Sequence, residues 1–167
     1  MMTCRMPARL VPARNVHFQY LADHLRLDEQ AHWCAMSGAA QYDPEVAARG
    51  FVNTPGIKLA ILGADGLPVV GGGVHRVRGQ TYEAWMVGTL DGWASDWRAI
   101  TRGVRWMVGE QFKAGAQRVQ IITLESRSAA CAWYERVLGM HRESVIEKAG
   151  AHGENLVMYA VIAGTHQ

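Results

Sequence analysis

The chain has 167 residues, of which 49% are hydrophobic and 19% charged, with a formal charge of +2. This is enough apolar material for one domain over 1–167 with its own core; it is too apolar for a disordered chain and too weakly charged to indicate nucleic acid. Cys4, Cys34 and Cys131 form no CxxC pair, no stretch approaches the ~18 apolar residues of a membrane span, and the N-terminus lacks a signal-peptide core. The expectation is therefore a reducing compartment, without secretion by a signal of its own.

Residues 3–10 read as a first strand, which Pro7 confines to a sheet edge or a bulge. Asn15 suits the N-cap of a helix carrying Val16, Tyr20, Leu21, Leu25 and Leu27. A second helical stretch starts near Asp28 and Glu29 and breaks at Ser37-Gly38. It restarts at Asp43-Pro44-Glu45 with a cap, a proline at the first position and an acid in the first turn. Asn53-Thr54-Pro55-Gly56 ends it. Residues 58–62 and 68–76 read as strands around an Asp65-Gly66 hairpin turn. Gly71-Gly72-Gly73 inside the second indicates a bulge or a close backbone approach.

A third strand covers 81–90. A helix over 94–112 then puts Trp97, Ile100, Val104, Met107 and Val108 on one face. Residues 119–124 are a short β-branched run, the pattern of a strand covered on both sides. A polar break at 125–128 leads into a helix over 129–138, with Gly139 as a left-handed stop. Ser126 and Ser128 are acceptors for the free N–H groups of that helix start. Strands over 141–148 and 156–162 close the chain around a polar turn at 150–153. The order β-α-α-β-β-β-α-β-α-β-β predicts an α/β (α+β) fold. It is a mixed, mostly antiparallel central sheet with helices on both faces.

A strand running into a helix N-terminus is a natural place for an anionic or polar ligand. Arg98, Arg102 and Arg105 make a basic stripe suited to phosphate or an acidic protein. Trp85, Trp93, Trp97 and Trp106 gather around 91–98, as aromatics do at protein interfaces. His17, His24 and His32 span too many helix faces for a metal cluster, so no metal is expected. Cys131 reads as a small core residue, having no visible base partner.

This order, together with residues 85–140, resembles the GNAT (GCN5-related N-acetyltransferase) fold. The resemblance implies acetyl-CoA in a gap between the 81–90 and 119–124 strands. It implies Glu83 as a general base through water and Tyr134 as the acid toward the departing thiolate. It also implies N–H groups of Val87, Gly88 and Thr89 on the thioester carbonyl, with Arg98 and Ser128 beside the cofactor. The family's pyrophosphate loop, Q/R-x-x-G-x-G/A, faces Asp91-Gly92-Trp93-Ala94-Ser95-Asp96-Trp97-Arg98 here. Two carboxylates and two indoles oppose a pyrophosphate there. The motif N-x-x-A-x-x-x-Y-x-x-x-G-F, registered on Gly139, places Ser128, Cys131 and Glu135 at the asparagine, alanine and tyrosine. Tyr134 is one residue off, a rotation of roughly 100° on an α-helix.

The displaced aromatic and the ending Gly139-Met140-His141-Arg142-Glu143 are similar to small GNAT-like internal virion proteins of short-tailed (T7-like) bacteriophages. That likeness implies a virion or assembly component with weak or no transferase activity, located in a virion or the host cytoplasm. Its partners would be other virion or host proteins, or further copies of itself. The alternative is an active acetyl-CoA-dependent N-acetyltransferase for an unknown amine. A third reading is a binding module using the gap for another small ligand or a host protein.

Overall fold

In the computed structural model, β1 (Leu10–Pro12), β2 (Ile57–Leu62), β3 (Pro68–Arg78), β4 (Thr81–Gly88), β5 (Arg118–Leu124), β6 (His141–Ile146) and β7 (Leu156–Ile162) form one sheet. The structure describes residues 6, 7 and 9–164. The sheet order is β1-β2-β3-β4-β5-β7-β6, antiparallel throughout except between β4 and β5. The helices are α1 (Asn15–Asp23), α2 (Leu27–Ser37), α3 (Pro44–Asn53), α4 (Leu90–Lys113) and α5 (Ser128–Ala132). A π-helical turn, Trp133–Val137, follows α5 directly.

Strand alternation sorts the core into two layers. From β4, Trp85 and Val87 pack against Phe18, Leu21 and Phe51 of α1 and α3. Tyr82, Ala84 and Met86 turn the other way, toward α4 residues such as Ile100, Val104, Val108 and Phe112. Helices therefore cover both faces, as the element order predicts. Gly71 is the close approach anticipated from its glycines, since a Cβ there would lie 2.6 Å from Leu21 and 3.0 Å from Phe18. The ladder runs through Gly71–Gly73 without a bulge; the β3–β4 register shifts at Arg76/Arg78 instead.

Several boundaries differ from the sequence reading. The first strand begins at Leu10, and residues 3–5 and 8 of the expected strand, with Cys4, lie outside the described residues. Asn15 is the first helical residue and not the cap; the Arg14 N–H donates to His17 Nδ1 (3.2 Å) at that start. Helix α1 ends at Asp23, so Leu25 and Leu27 lie beyond it, and the stretch broken at Gly38 is two separate helices. Gly38 takes φ +80°, which glycine adopts at least cost.

The largest correction is at residues 89–98. The expected loop is the first two turns of α4, because Thr89 Oγ1 accepts the Gly92 N–H (3.0 Å) and starts the helix early. No helix among the described residues is long and apolar enough to cross a membrane.

Candidate functional site

Strands β4 and β5 run parallel for three rungs, Thr81↔Arg118, Tyr82↔Val119 and Glu83↔Gln120. Beyond them β4 keeps β3 and β5 keeps β7, so a gap opens between Ala84–Gly88 and Ile121–Leu124. Strand edges facing a gap carry unpaired N–H and C=O groups, a natural ligand seat. In this chain its own residues take that seat. Gly88 turns both backbone groups away from β3. Its N–H donates to Glu29 Oε2 (2.6 Å), and its carbonyl accepts the Arg26 N–H (3.4 Å). The link between α1 and α2 forms a one-residue antiparallel bridge there, Leu25↔Thr89.

Helix α2 then spans the gap, with Ala35 packed on Leu124 of β5 and Leu156 of β7. Its acidic first turn places Glu29 inside an ion network. Glu29 Oε1 accepts from Arg26 Nη2 (2.7 Å) and Arg127 Nη2 (3.2 Å). Arg127 also donates to Asp28 Oδ2 (2.9 Å) and Thr123 Oγ1 (3.2 Å), which ties α2 to the end of β5. The Glu29 side chain is 2% exposed and that of Arg127 6%. Burial pushes the Glu29 carboxyl above the usual range, while Arg26, Arg127 and the Gly88 N–H pull it back.

On the α4 side two indoles fill the gap. Trp93 meets Trp133 edge-on at 5.1 Å, and the Arg26 guanidinium lies over the Trp93 ring, also at 5.1 Å. Trp133 is anchored by its Nε1, which donates to Thr101 Oγ1 (3.2 Å). What remains is a hollow of about 290 Å3 bordered by Arg26, Glu29, Met86, Trp93, Arg127 and Tyr134, among others.

Tyr134 corrects the sequence reading. The Leu138 N–H bonds to the Trp133 carbonyl (3.0 Å), an i→i+5 closure that takes one more residue than an α-turn. The π-turn absorbs the extra residue between Tyr134 and Gly139, so the expected rotation does not occur and Tyr134 borders the hollow. Registered on Tyr134, the motif puts Arg127 at the asparagine place and Ala130 at the alanine place. Both also border the hollow. Burial raises the Tyr134 phenol to about 12, with Arg127 pulling down and Glu29 pushing up. Glu135, which the glycine register put at the tyrosine, instead accepts from the Tyr159 hydroxyl (3.0 Å).

The other expected site residues are scattered. Glu83 sits on the last shared rung, accepting from Gln120 Nε2 (3.0 Å), outside the hollow. Val87 packs on the α1–α3 layer, and the Thr89 N–H donates to the Val69 carbonyl (3.0 Å). Of the expected carbonyl-polarising N–H groups, those of Gly88 and Thr89 are thus already engaged. Arg98 is exposed on α4, with its guanidinium 5.2 Å from the Trp97 ring. Ser128 is exposed, and neither it nor Ser126 caps α5. The four tryptophans do not gather: Trp85 lies in the α1–α3 layer, while Trp106 packs on the other face. Cys131 packs beside Tyr134 and Tyr159. Among the described residues no group of three or more His, Cys, Asp or Glu side chains could hold a metal ion.

Sequence reasoning missed Glu29, Arg26 and Arg127. Acids at the start of α2 were visible, but nothing local links them to Gly88, 59 residues away.

No family model matches the sequence, and no curated protein matches it. Solved structures do. A probable GNAT-family acetyltransferase from Chromobacterium violaceum superposes with a TM-score of 0.72 at 15% identity, covering 93% of this chain and 87% of that one. A GNAT-family acetyltransferase from Bacillus anthracis gives 0.69 at 16%, covering 93% and 96%. A phosphinothricin acetyltransferase from Sinorhizobium meliloti, solved with acetyl-CoA, gives 0.65 at 14%, covering 97% and 92%. At these identities the likeness establishes the fold, and the fold is GNAT.

Proposed function

We propose that this GNAT-fold chain is a non-catalytic component, with its cofactor gap occupied by its own side chains and with weak or no acetyl transfer. One observation carries the reading: Glu29 holds the Gly88 N–H inside the gap and is itself held by Arg26 and Arg127. Opening that edge to a pantetheine arm means leaving buried charges without partners, a cost of several kcal/mol. The helical start of α4 adds to it. Thr89 takes the Gly92 N–H that a phosphate would use, and the exposed Asp91 repels a pyrophosphate, while Asp96 is paired with Arg9 (2.7 Å). The sequence likeness around Gly139 to internal virion proteins supports the finer reading, a component of a phage particle. Calorimetry with acetyl-CoA tests the first part, with no saturable heat expected; micromolar affinity overturns it. An antibody against the chain, applied to purified particles, tests the second.

Tyr134 favours a second reading, an acetyl-CoA-dependent N-acetyltransferase for an unidentified amine. Its phenol keeps its proton at neutral pH and borders the hollow, where an acid toward a thiolate is needed. In that reading Glu83 is the general base through water. Turnover on an amine panel that falls with Tyr134→Phe supports it; no turnover on a broad panel removes it.

A further inference from the structure

Helix α4 carries a row of cations on its outward side. Arg98, Arg102 and Arg105 follow one another at i, i+4 and i+7, so they share one face, and all three are exposed. Two acids of the same helix are already taken, Asp96 by Arg9 (2.7 Å) and Glu110 by Lys113 (2.6 Å). Among the described residues none of the three guanidiniums has a carboxylate partner, whereas the exposed Arg49 and Arg142 are paired with Glu45 and Glu125. Arg105 Nη2 donates to the Val137 carbonyl, which holds that side chain between α4 and the π-turn. Four of its five N–H groups remain for an anion.

Beside the row runs an apolar groove of about 430 Å3. Its walls are Val104, Val108 and Phe112 of α4 with Leu138, Met140 and Val161, and Arg105 borders it. Gly109 borders it too, and a Cβ there would meet nothing within 4 Å. No side chain at that position therefore separates the groove from the arginines.

Charge and wall together select the occupant. Unneutralised guanidiniums suit carboxylates or phosphates. Nucleic-acid bases stack on open aromatic rings, but all of these walls except Phe112 are non-aromatic and match apolar side chains. Spacing fits a peptide as well. Arg98 and Arg102 lie about 6 Å apart along the helix axis, and alternate residues of an extended chain lie ~6.7 Å apart.

We propose that this face of α4 docks an extended acidic segment of a partner protein. Its carboxylates pair with Arg98, Arg102 and Arg105, and its alternate, apolar side chains enter the groove. The surface shares no residue with the hollow, so it stands whether or not acetyl-CoA binds.

The test is fluorescence anisotropy of the full chain with short labelled peptides at physiological salt. A peptide of alternating glutamate and leucine is expected to bind saturably, and to weaken as salt is raised. Its counterpart with serine for leucine binds about 10-fold more weakly, because it buries no apolar side chain. Arg98→Glu/Arg102→Glu, which breaks no hydrogen bond, weakens the glutamate–leucine peptide by about 10-fold. Arg49→Glu/Arg78→Glu makes the same change in net charge elsewhere and leaves that affinity unchanged. Absence of saturable binding, equal affinity for the serine peptide, or equal losses from the two double variants overturns the proposal. Tighter binding of a short oligothymidylate also overturns it, and assigns the face to nucleic acid.

Discussion

Glu29 Oε2 lies 2.6 Å from the Gly88 backbone nitrogen, at the edge that β4 turns to the gap. A side chain of α2 thereby does for β4 at Gly88 what β5 does over the rungs Thr81 to Glu83: it gives the strand a partner. The same carboxylate binds Arg26 and Arg127, so the α1–α2 link, β4 and the end of β5 meet at one buried group.

Breaking that group is expected to be costly. Glu29→Ala leaves the Gly88 N–H without a partner and Asp28 as the one carboxylate facing both guanidiniums, and should lower unfolding stability by about 3 kcal/mol, read from denaturant melts. The double variant Glu29→Leu/Arg127→Met should lose less than the sum of its two parts, because it removes both charges together. Additive losses would show that the pair is not coupled.

The π-turn yields a prediction about chain length. Deleting Arg136, which is exposed, removes the extra residue and lets an α-turn carry Tyr134 to the glycine. Stability within about 1 kcal/mol of the parent is expected, since a π-turn is an α-turn with one residue inserted. A loss on the scale of a core defect would contradict the insertion account.

These two features mark where sequence reading stopped. Element order was legible because strands of period 2 and helices of period 3.6 alternate with Asp43-Pro44, Asp65-Gly66 and Gly139 punctuation. The tyrosine helix was misjudged because registering on Gly139 assumes a uniform α-helix, and a one-residue insertion breaks that assumption. Registering on Tyr134 would have exposed Arg127 and Ala130. The start of α4 was missed because residues 91–98 were matched to the family's pyrophosphate loop and the strand before them was run to residue 90, although Thr89 three residues before Gly92 is an N-cap signal. Glu29 carried no local signal at all, since its partner is set by tertiary packing.

Gly88→Ala probes the aromatic side of the gap. A Cβ at that position would lie 2.8 Å from Trp93 Nε1 and 2.8 Å from Val70 Cγ2. Both neighbours must shift, so a loss of about 1–3 kcal/mol is expected, with altered tryptophan fluorescence. Unchanged fluorescence and stability would mean that Trp93 is not packed on the β4 edge.

His32 gives the structure a pH dependence. Burial, followed by repulsion from Arg127, lowers its pKa to about 4 from 6.5, and Asp28 pulls the other way. Its Nδ1 is buried without a partner, so the folded protein holds it neutral. Between these two values the unfolded chain binds the proton and the folded chain does not. The contribution of His32 is therefore full above pH 6.5 and is lost as pH falls toward 4. The drop in melting midpoint from neutral to acid pH should be smaller in His32→Gln than in the parent; an equal drop assigns the slope to other groups.

The occupied gap is tested most directly by thermal melting with and without acetyl-CoA. A ligand that binds the folded form alone at a hundred times its Kd adds about 2.7 kcal/mol, and each kcal/mol moves a chain of this size by roughly 2–4 °C. The closed ion network predicts no shift of the midpoint at millimolar acetyl-CoA. A saturable rise of several degrees would show that the cofactor displaces Glu29 from Gly88, and would contradict the account.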